Sequence, residues 1–415
     1  MANKLFNYSK FDFIGEVITG KEVVTTNKLS NTSKWSRTKL NIGIKDDSNA
    51  QFLNAEYIHC DEVKTCKILG QDGEMFIVNL QDTSKQENID KAANITKITI
   101  DLETDFELKK EYTKLIFKRL NHEMKKEENK TEEDIQKIKE YTEQIKQLAK
   151  NRIEFCHMKD AIDFLNKAMP VIKEQKIRVT GNVKSNYYKG KNRLQYIPSF
   201  IEIVPKETKN QLKMFADFFY EKDGIDDDNK LKQMIVNGYI GERIKKKDTL
   251  FPLSVVLDYT KVDEEISEQA VLLEYMKGLF KITDKKMVHK IGLEINIING
   301  AEKKEFNEDC LTDMQKLSIK VGKSTIDDFR PKGDIYGDRI ELLKICDGDL
   351  AKYPNGSIEA FLVKDIPDYL ALDDSDKKVS DVKKDEKEQT EEVEEEEANS
   401  KNTEKEDMMA KLFGK

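Results

Sequence analysis

GNVKSNYYKGKNRLQYIPSFIEIV, residues 181–204, holds two apolar runs around a centre of two rings and several cations. With KIRVTGNV at 176–183 before it, the segment reads as a strand, a basic aromatic turn and a strand. Lys184, Lys189, Lys191 and Arg193 surround Tyr187 and Tyr188. A core has no use for the cations, and a solvated turn has little use for the rings. Adjacent residues on a strand face opposite ways, so at most one of the two tyrosines serves a given face.

Upstream, residues 11–101 also read as strands. FDFIGEVI (11–18) has a central glycine, and a long loop carrying SKWSRTK leads into TKLNIGIK (38–45), where Leu40, Ile42 and Ile44 share one face. QFLNAEYI (51–58), EMFIVNL (74–80) and ITKITIDL (95–102) continue the pattern, with GQDG at 70–73 as a turn. The period then changes. Between Phe106 and Leu148 there is neither Gly nor Pro, and Ile135, Ile138, Tyr141, Ile145 and Leu148 recur at helical spacing. Leu108, Tyr112, Leu115 and Ile116 form a similar stripe, and KKEENKTEED (125–134) separates the two. An antiparallel helical hairpin over about 104–150 is expected, with a shorter helix at 160–169.

Downstream, QLKMFADFFY (211–220) is expected as a helix and EKDGIDDDN (221–229) as a linker. A second strand-rich region covers 231–368, with MIVNGYIG, LFPLSVVLDY, AVLLEYMKGLF, MVHKIGLEINII, KLSIKV, RIELLKI and IEAFLVK as its strands. Residues 369–415 are low-complexity and acidic, too poor in apolar surface to fold, and end in a short apolar tip. The expected domains are therefore 1–206 with the helical insertion, the 207–230 helix and linker, the β-rich 231–368, and the tail.

Charge is uneven along the 415 residues. Residues 373–415 carry 16 acidic and 9 basic side chains, a net of −7, which leaves 62 basic and 63 acidic ones on residues 1–372. Such asymmetry fits a nucleic-acid protein or a solubilising tail. Cys60, Cys66, Cys156, Cys310 and Cys346 are odd in number and scattered, which argues against a disulfide framework and for a reducing compartment. There is no apolar run of membrane-spanning length, and MANKLFNYSKFDF lacks a signal-peptide core, so a cytoplasmic location in a bacterial host cell is expected.

No catalytic constellation is marked. KVGKST (320–325) has Leu317 where a phosphate loop needs its first glycine, and DGIDDDNK (223–230) has Met234 where an EF-hand needs glutamate. The histidines and cysteines lack metal-ligand spacing. The expectation is a non-enzymatic protein without cofactor or metal.

The order of these segments resembles the OB-fold of single-stranded-DNA-binding proteins. Phe13, Gly15 and Val17 match the opening strand, Val179, Gly181 and Val183 a later strand, and Tyr196 to Val204 the closing one. The acidic tail with its apolar tip resembles the phage members especially. Two departures stand out. The helical insertion is larger than the usual connector, and the tail ends in MMAKLFGK rather than in an Asp-rich tip closed by Pro-Phe. The resemblance implies a mainly β fold of OB-like barrels with an α insertion, and single-stranded DNA bound during replication or recombination. Rings would stack bases while cations follow the phosphates. The residues it points to are Lys34, Trp35, Arg37 and Lys39 on one limb, and Lys184, Tyr187, Tyr188, Lys189, Lys191 and Arg193 on the other. Met408, Met409, Leu412 and Phe413 would dock a replication partner. The rival reading is a β-barrel virion or assembly component whose helical arm and tail carry the contacts.

Overall fold

The computed structural model describes residues 6–362, except 47–48, 126–129, 189–190, 245–246, 261, 264, 305–310, 330–334 and 346–357. The fold is mainly β, with six α-helices among the described residues, and nearly all strands join one large mixed sheet.

Its hub is β1 (Lys10–Lys28), which sends Phe11 and Phe13 into the core. The strand is far longer than FDFIGEVI, so the expected long loop shrinks to residues 29–34 before β2 (Trp35–Asp46). One edge of β1 pairs with β9 (Lys176–Tyr188). Its other edge pairs first with β11 (Gln211–Asp228) through Lys10–Ile14, then with β2 from Glu16 onward. Serving two partners on one edge requires the strand to pass close to its neighbour. A Cβ on Gly15 would lie 2.1 Å from the Lys45 carbonyl oxygen, and one on Gly181 2.0 Å from that of Ile197. Both glycines are fixed by that approach.

Around this hub the pairings trace two rings. In the first, β2 pairs with β3 (Asn49–Phe52) and β4 (Ala55–Cys60), while β9 pairs with β10 (Lys191–Val204). The ring closes where Asn54 meets Tyr196: the Asn54 N–H donates to the Tyr196 carbonyl (2.7 Å), and the Tyr196 N–H donates to Asn54 Oδ1 (2.9 Å). In the second ring, β11 pairs with β12 (Gln233–Ile244), and β12 with β13 (Lys247–Asp258). Strand β14 (Met287–Lys304) pairs with β11 and with β15 (Ile335–Ile345). The ring is completed by a parallel bridge between Val256 on β13 and Lys344 on β15. A short β16 (Glu359–Leu362) adds to β14.

The connection from β4 to β9 is a large annex. A hairpin of β5 (Thr65–Leu69) and β6 (Met75–Asn79) and helix α1 (Gln86–Lys91) share a small core with Cys156. Strand β7 (Ile98–Asp101) lies parallel to β10 and pairs with β8 (Arg152–Phe155). Between them stand α2 (Phe106–Glu123) and α3 (Glu132–Leu148), starting at an Asp105 cap and a Thr131 capping box. The pair is pinned by Asp134, whose carboxylate accepts from Lys125 Nζ (2.7 Å) and contacts His122 Nδ1 (2.6 Å). Those two side chains and the Thr131 backbone N–H hold its carboxyl below the usual range. Helix α4 (Met158–Ile172) then packs its apolar face, including Ile162, Leu165 and Met169, against the first ring.

Four expectations are corrected. Residues 211–220, read as a helix, and 221–229, read as a linker, are instead one strand, β11, as far as Asp228. Leu212, Met214, Ala216, Phe218 and Tyr220 alternate into the core, but Phe219 is buried as well, because other parts of the chain cover the opposite face. That double burial hides the period of two. AVLLEYMKGLF, read as a strand, is helix α5 (Ser267–Leu279), with Leu273, Met276 and Leu279 facing inward. The Tyr220 hydroxyl, on β11, donates to the Leu279 carbonyl (2.6 Å) and ties this helix to the second ring. KLSIKV, also read as a strand, falls in helix α6 (Asp313–Lys320), which starts from a Thr312 capping box.

Candidate nucleic-acid interface

Inward-facing Leu40, Ile42 and Ile44 on β2 leave Trp35, Arg37 and Lys39 on its outer face, as the period of a strand requires. Trp35 is 42% exposed at the start of the strand. It sits opposite Cys60 on β4, Arg37 opposite Ile58, and Lys39 opposite Glu56. Ile58 is 50% exposed, and Phe52, opposite Gly43 on β3, is 43% exposed. The result is an outer face of exposed ring and aliphatic surface interleaved with cations. Lys34 pairs with Glu62 (2.9 Å), and Arg37 lies 3.6 Å from Glu56. Exposed pairs of this kind contribute about 0–1 kcal/mol, so a phosphate can displace the carboxylates readily.

The 181–204 hairpin is placed differently. It leans on the second ring: the Ser185 N–H donates to Glu242 Oε2 (2.8 Å), and Asn192 Nδ2 donates to the Pro252 carbonyl (3.0 Å). Burial pushes the Glu242 carboxyl up, against the opposing influence of the Ser185 N–H and Lys184. Tyr187 is half-buried and packs against the main core. Lys184 and Arg193 are exposed. Tyr188 and Lys191 lie in β9 and β10, with side chains outside the described residues, and Lys189 lies outside them altogether. Met408, Met409, Leu412 and Phe413 also fall outside the described residues. The Trp35 group and the 184–193 group lie on separate strand pairs, β2–β4 and β9–β10. What links them is the segment β3–β4, which runs from Gln51 to Ile58.

Gln51 and Arg193 both line a cleft of about 1060 Å³ between the two rings, with residues of β11 to β15 on its far side. Phe52 and Ile58 could have been found in the sequence, because Leu53 and Ala55 are core and alternation turns their neighbours outward. The cleft could not, because its lining comes from seven strands.

Other chemistry is sparse. Among the described residues no group of three or more His, Cys, Asp or Glu could hold a metal, and no helix is long and apolar enough to cross a membrane. Burial pushes the Cys156 thiol up to about 11, and its Sγ donates to the Thr83 carbonyl. It is therefore protonated at neutral pH and unsuited to nucleophilic attack.

No family model matches the chain, and no curated protein matches it. Among solved structures, it is similar to a crystal structure of a deletion mutant of the single-stranded DNA binding protein from Thermus aquaticus. The two are 8% identical, the match covers 71% of this chain and 87% of that one, and the TM-score is 0.26. At that TM-score the overlay carries no weight here.

Proposed function

We propose that this chain binds single-stranded DNA without catalysis, through the outer face of its first barrel. The observation that carries this is the exposed Trp35 in line with Arg37 and Lys39, beside Ile58 and Phe52.

The strand connectivity supports it. In the second ring the strands taken in chain order close as first–second–third–fifth–fourth–first, with a parallel third–fifth contact and a helix between third and fourth. That order matches OB connectivity and supports the reading. The first ring follows it too, with β3–β4 as third strand, α4 before the fourth, and the Asn54–Tyr196 clasp closing third to fifth. In OB barrels the second and third strands carry the oligonucleotide face, and here they are β2 and β3–β4. Stacking on a ring stabilises a bound base by about 1–3 kcal/mol, while cations track the phosphates. A role in phage replication or recombination, with protein partners met through the tail, is the reading we favour. The resemblance of the acidic tail to phage members supports it.

Trp35 is the chain's single tryptophan, so intrinsic fluorescence reports on this face alone. Titration with oligo-dT should quench it, more weakly as salt rises through counterion release, and duplex DNA should not. Equal quenching by duplex, or none by either, would sink the proposal.

A further inference from the structure

The inter-barrel cleft is not needed for binding on the Trp35 face, and its chemistry differs from that face. Four carboxamides line it, Gln51 on β3, Asn192 on β10, Asn237 on β12 and Asn299 on β14, together with the Ser254 hydroxyl on β13. Apolar side chains lie between them. The only charged side chains among its described lining are Arg193 and Asp226. Asn192 is held by the Pro252 carbonyl, and two further hydrogen bonds set the other three amides. Asn299 Nδ2 donates to Gln51 Oε1 (3.1 Å), a bond that crosses from one barrel to the other. Ser254 Oγ donates to Asn237 Oδ1 (2.6 Å), which leaves the NH2 group of the exposed Asn237 with no protein acceptor among the described residues.

A near-neutral cleft with apolar walls and oriented amide donors suits flat heterocycles whose edges carry carbonyl oxygens and ring nitrogens. It does not suit a phosphate chain, for which one arginine beside one aspartate is too little charge. The cleft and the proposed face share an element: Gln51 lines the cleft from one side of β3, Phe52, the next residue, turns to the other side, and Ile58 follows six residues on. At about 3.3 Å per residue the run from Gln51 to Ile58 spans roughly 23 Å. We infer that the cleft receives unpaired bases of the same single strand that lies on the Trp35 face. Asn237 donates to a base edge there, and Arg193 meets the phosphate at the entrance.

This rests on the single-strand reading above. The test uses the full chain and its Asn237→Asp and Asn237→Leu variants. Asp keeps the acceptor for Ser254 but replaces the donor with a negative charge, while Leu loses the donor without adding charge. Anisotropy is measured with labelled oligo-dT of about 6 and about 30 nucleotides, since one such barrel covers roughly 4–16. The expected result is about a tenfold loss of affinity for the long oligonucleotide in both variants, in line with the ~1–3 kcal/mol of a good base-edge contact. Affinity for the short one and the thermal midpoint should stay at wild-type values. Unchanged affinity for both lengths, or an equal loss for both, overturns the cleft assignment while leaving the Trp35 face intact. Failure of the wild-type protein to bind either oligonucleotide instead overturns the underlying reading, and the cleft assignment with it.

Discussion

Asn54 and Tyr196 close the first ring of strands with two hydrogen bonds, one through backbone groups and one through the Asn54 side chain acting as a carbonyl. Tyr196 is buried, with its ring against Phe11 and Phe13. Its N–H therefore has little access to water if Oδ1 is removed. Asn54→Ala should destabilise the protein by about 1–3 kcal/mol, the usual penalty for an orphaned buried donor. Denaturant unfolding measures it. Asn54→Asp, which keeps an acceptor oxygen, should recover part of the loss, and an Ala variant of wild-type stability would mean that the clasp is incidental.

Much of this barrel is legible in the sequence. Phe13, Gly15 and Val179, Gly181 announce strands that bend closely past a neighbour, and the outward parity of Trp35, Arg37 and Lys39 follows from inward Leu40 and Ile42. What is not legible has a common cause, burial or exposure that breaks the expected amphipathic pattern. Strand β11 is covered on both faces, so Phe218, Phe219 and Tyr220 in a row look no more like strand than helix. Helix α5 has Val271, Leu272 and Tyr275 exposed, so no polar face marks its period. Tyr187 is part of a basic cluster in sequence but packs against the core in space, where its hairpin leans on the second ring. Nothing local encodes that docking.

Trp35 is exposed and its ring is not needed by the core. Trp35→Ala should leave stability within about 0.5 kcal/mol of wild type, as surface substitutions do. Affinity for oligo-dT should fall by about 1–3 kcal/mol, and Trp35→Phe should restore part of it. Titration by anisotropy, paired with a thermal melt, separates the two effects. Loss of fold with loss of binding would instead make Trp35 structural.

Arg37 faces outward beside Trp35 with only the longer contact to Glu56. If it meets a phosphate, Arg37→Ala should reduce the magnitude of the log affinity against log salt slope by about 0.7, the increment for one phosphate on a single strand. Affinity should weaken evenly across oligonucleotide sequences. A slope identical to wild type would place Arg37 off the strand's path.

Asp134 joins the two helices of the insertion: its carboxylate receives Lys125, contacts His122, and accepts from the Thr131 N–H and hydroxyl at the start of α3. Asp134→Ala removes all three contacts at the junction. Hydrogen exchange should show loss of protection in the first turn of α3 and the last turn of α2, with β1 and β9 unaffected. Oligonucleotide affinity should not change, since the arm lies off the Trp35 face. Faster exchange spreading into β1 would show that the insertion supports the barrel rather than standing on it.

Glu242 tests the seam between the barrels. Burial is the largest influence on its carboxyl and raises its pKa, so the folded protein holds the proton more tightly than the unfolded chain does. Between the unfolded and folded pKa values the native state binds more protons, and stability therefore falls as pH rises through that window. Below the ordinary glutamate value the carboxyl is neutral in both states and this destabilisation is absent. Above the folded value a charge is held at the seam, opposed only by the Ser185 N–H and the field of Lys184. Glu242→Gln keeps an acceptor oxygen for Ser185 and cannot ionise. Its stability relative to wild type should thus rise with pH between the ordinary glutamate value and the raised folded one, levelling off once the wild-type carboxyl is ionised in both states. Unfolding midpoints of the two proteins at matched pH isolate this group, because every other titration cancels in the difference. A difference that stays flat with pH would mean that the seam is open to water, and the rigid docking of the 181–204 hairpin on β12 would have to be given up.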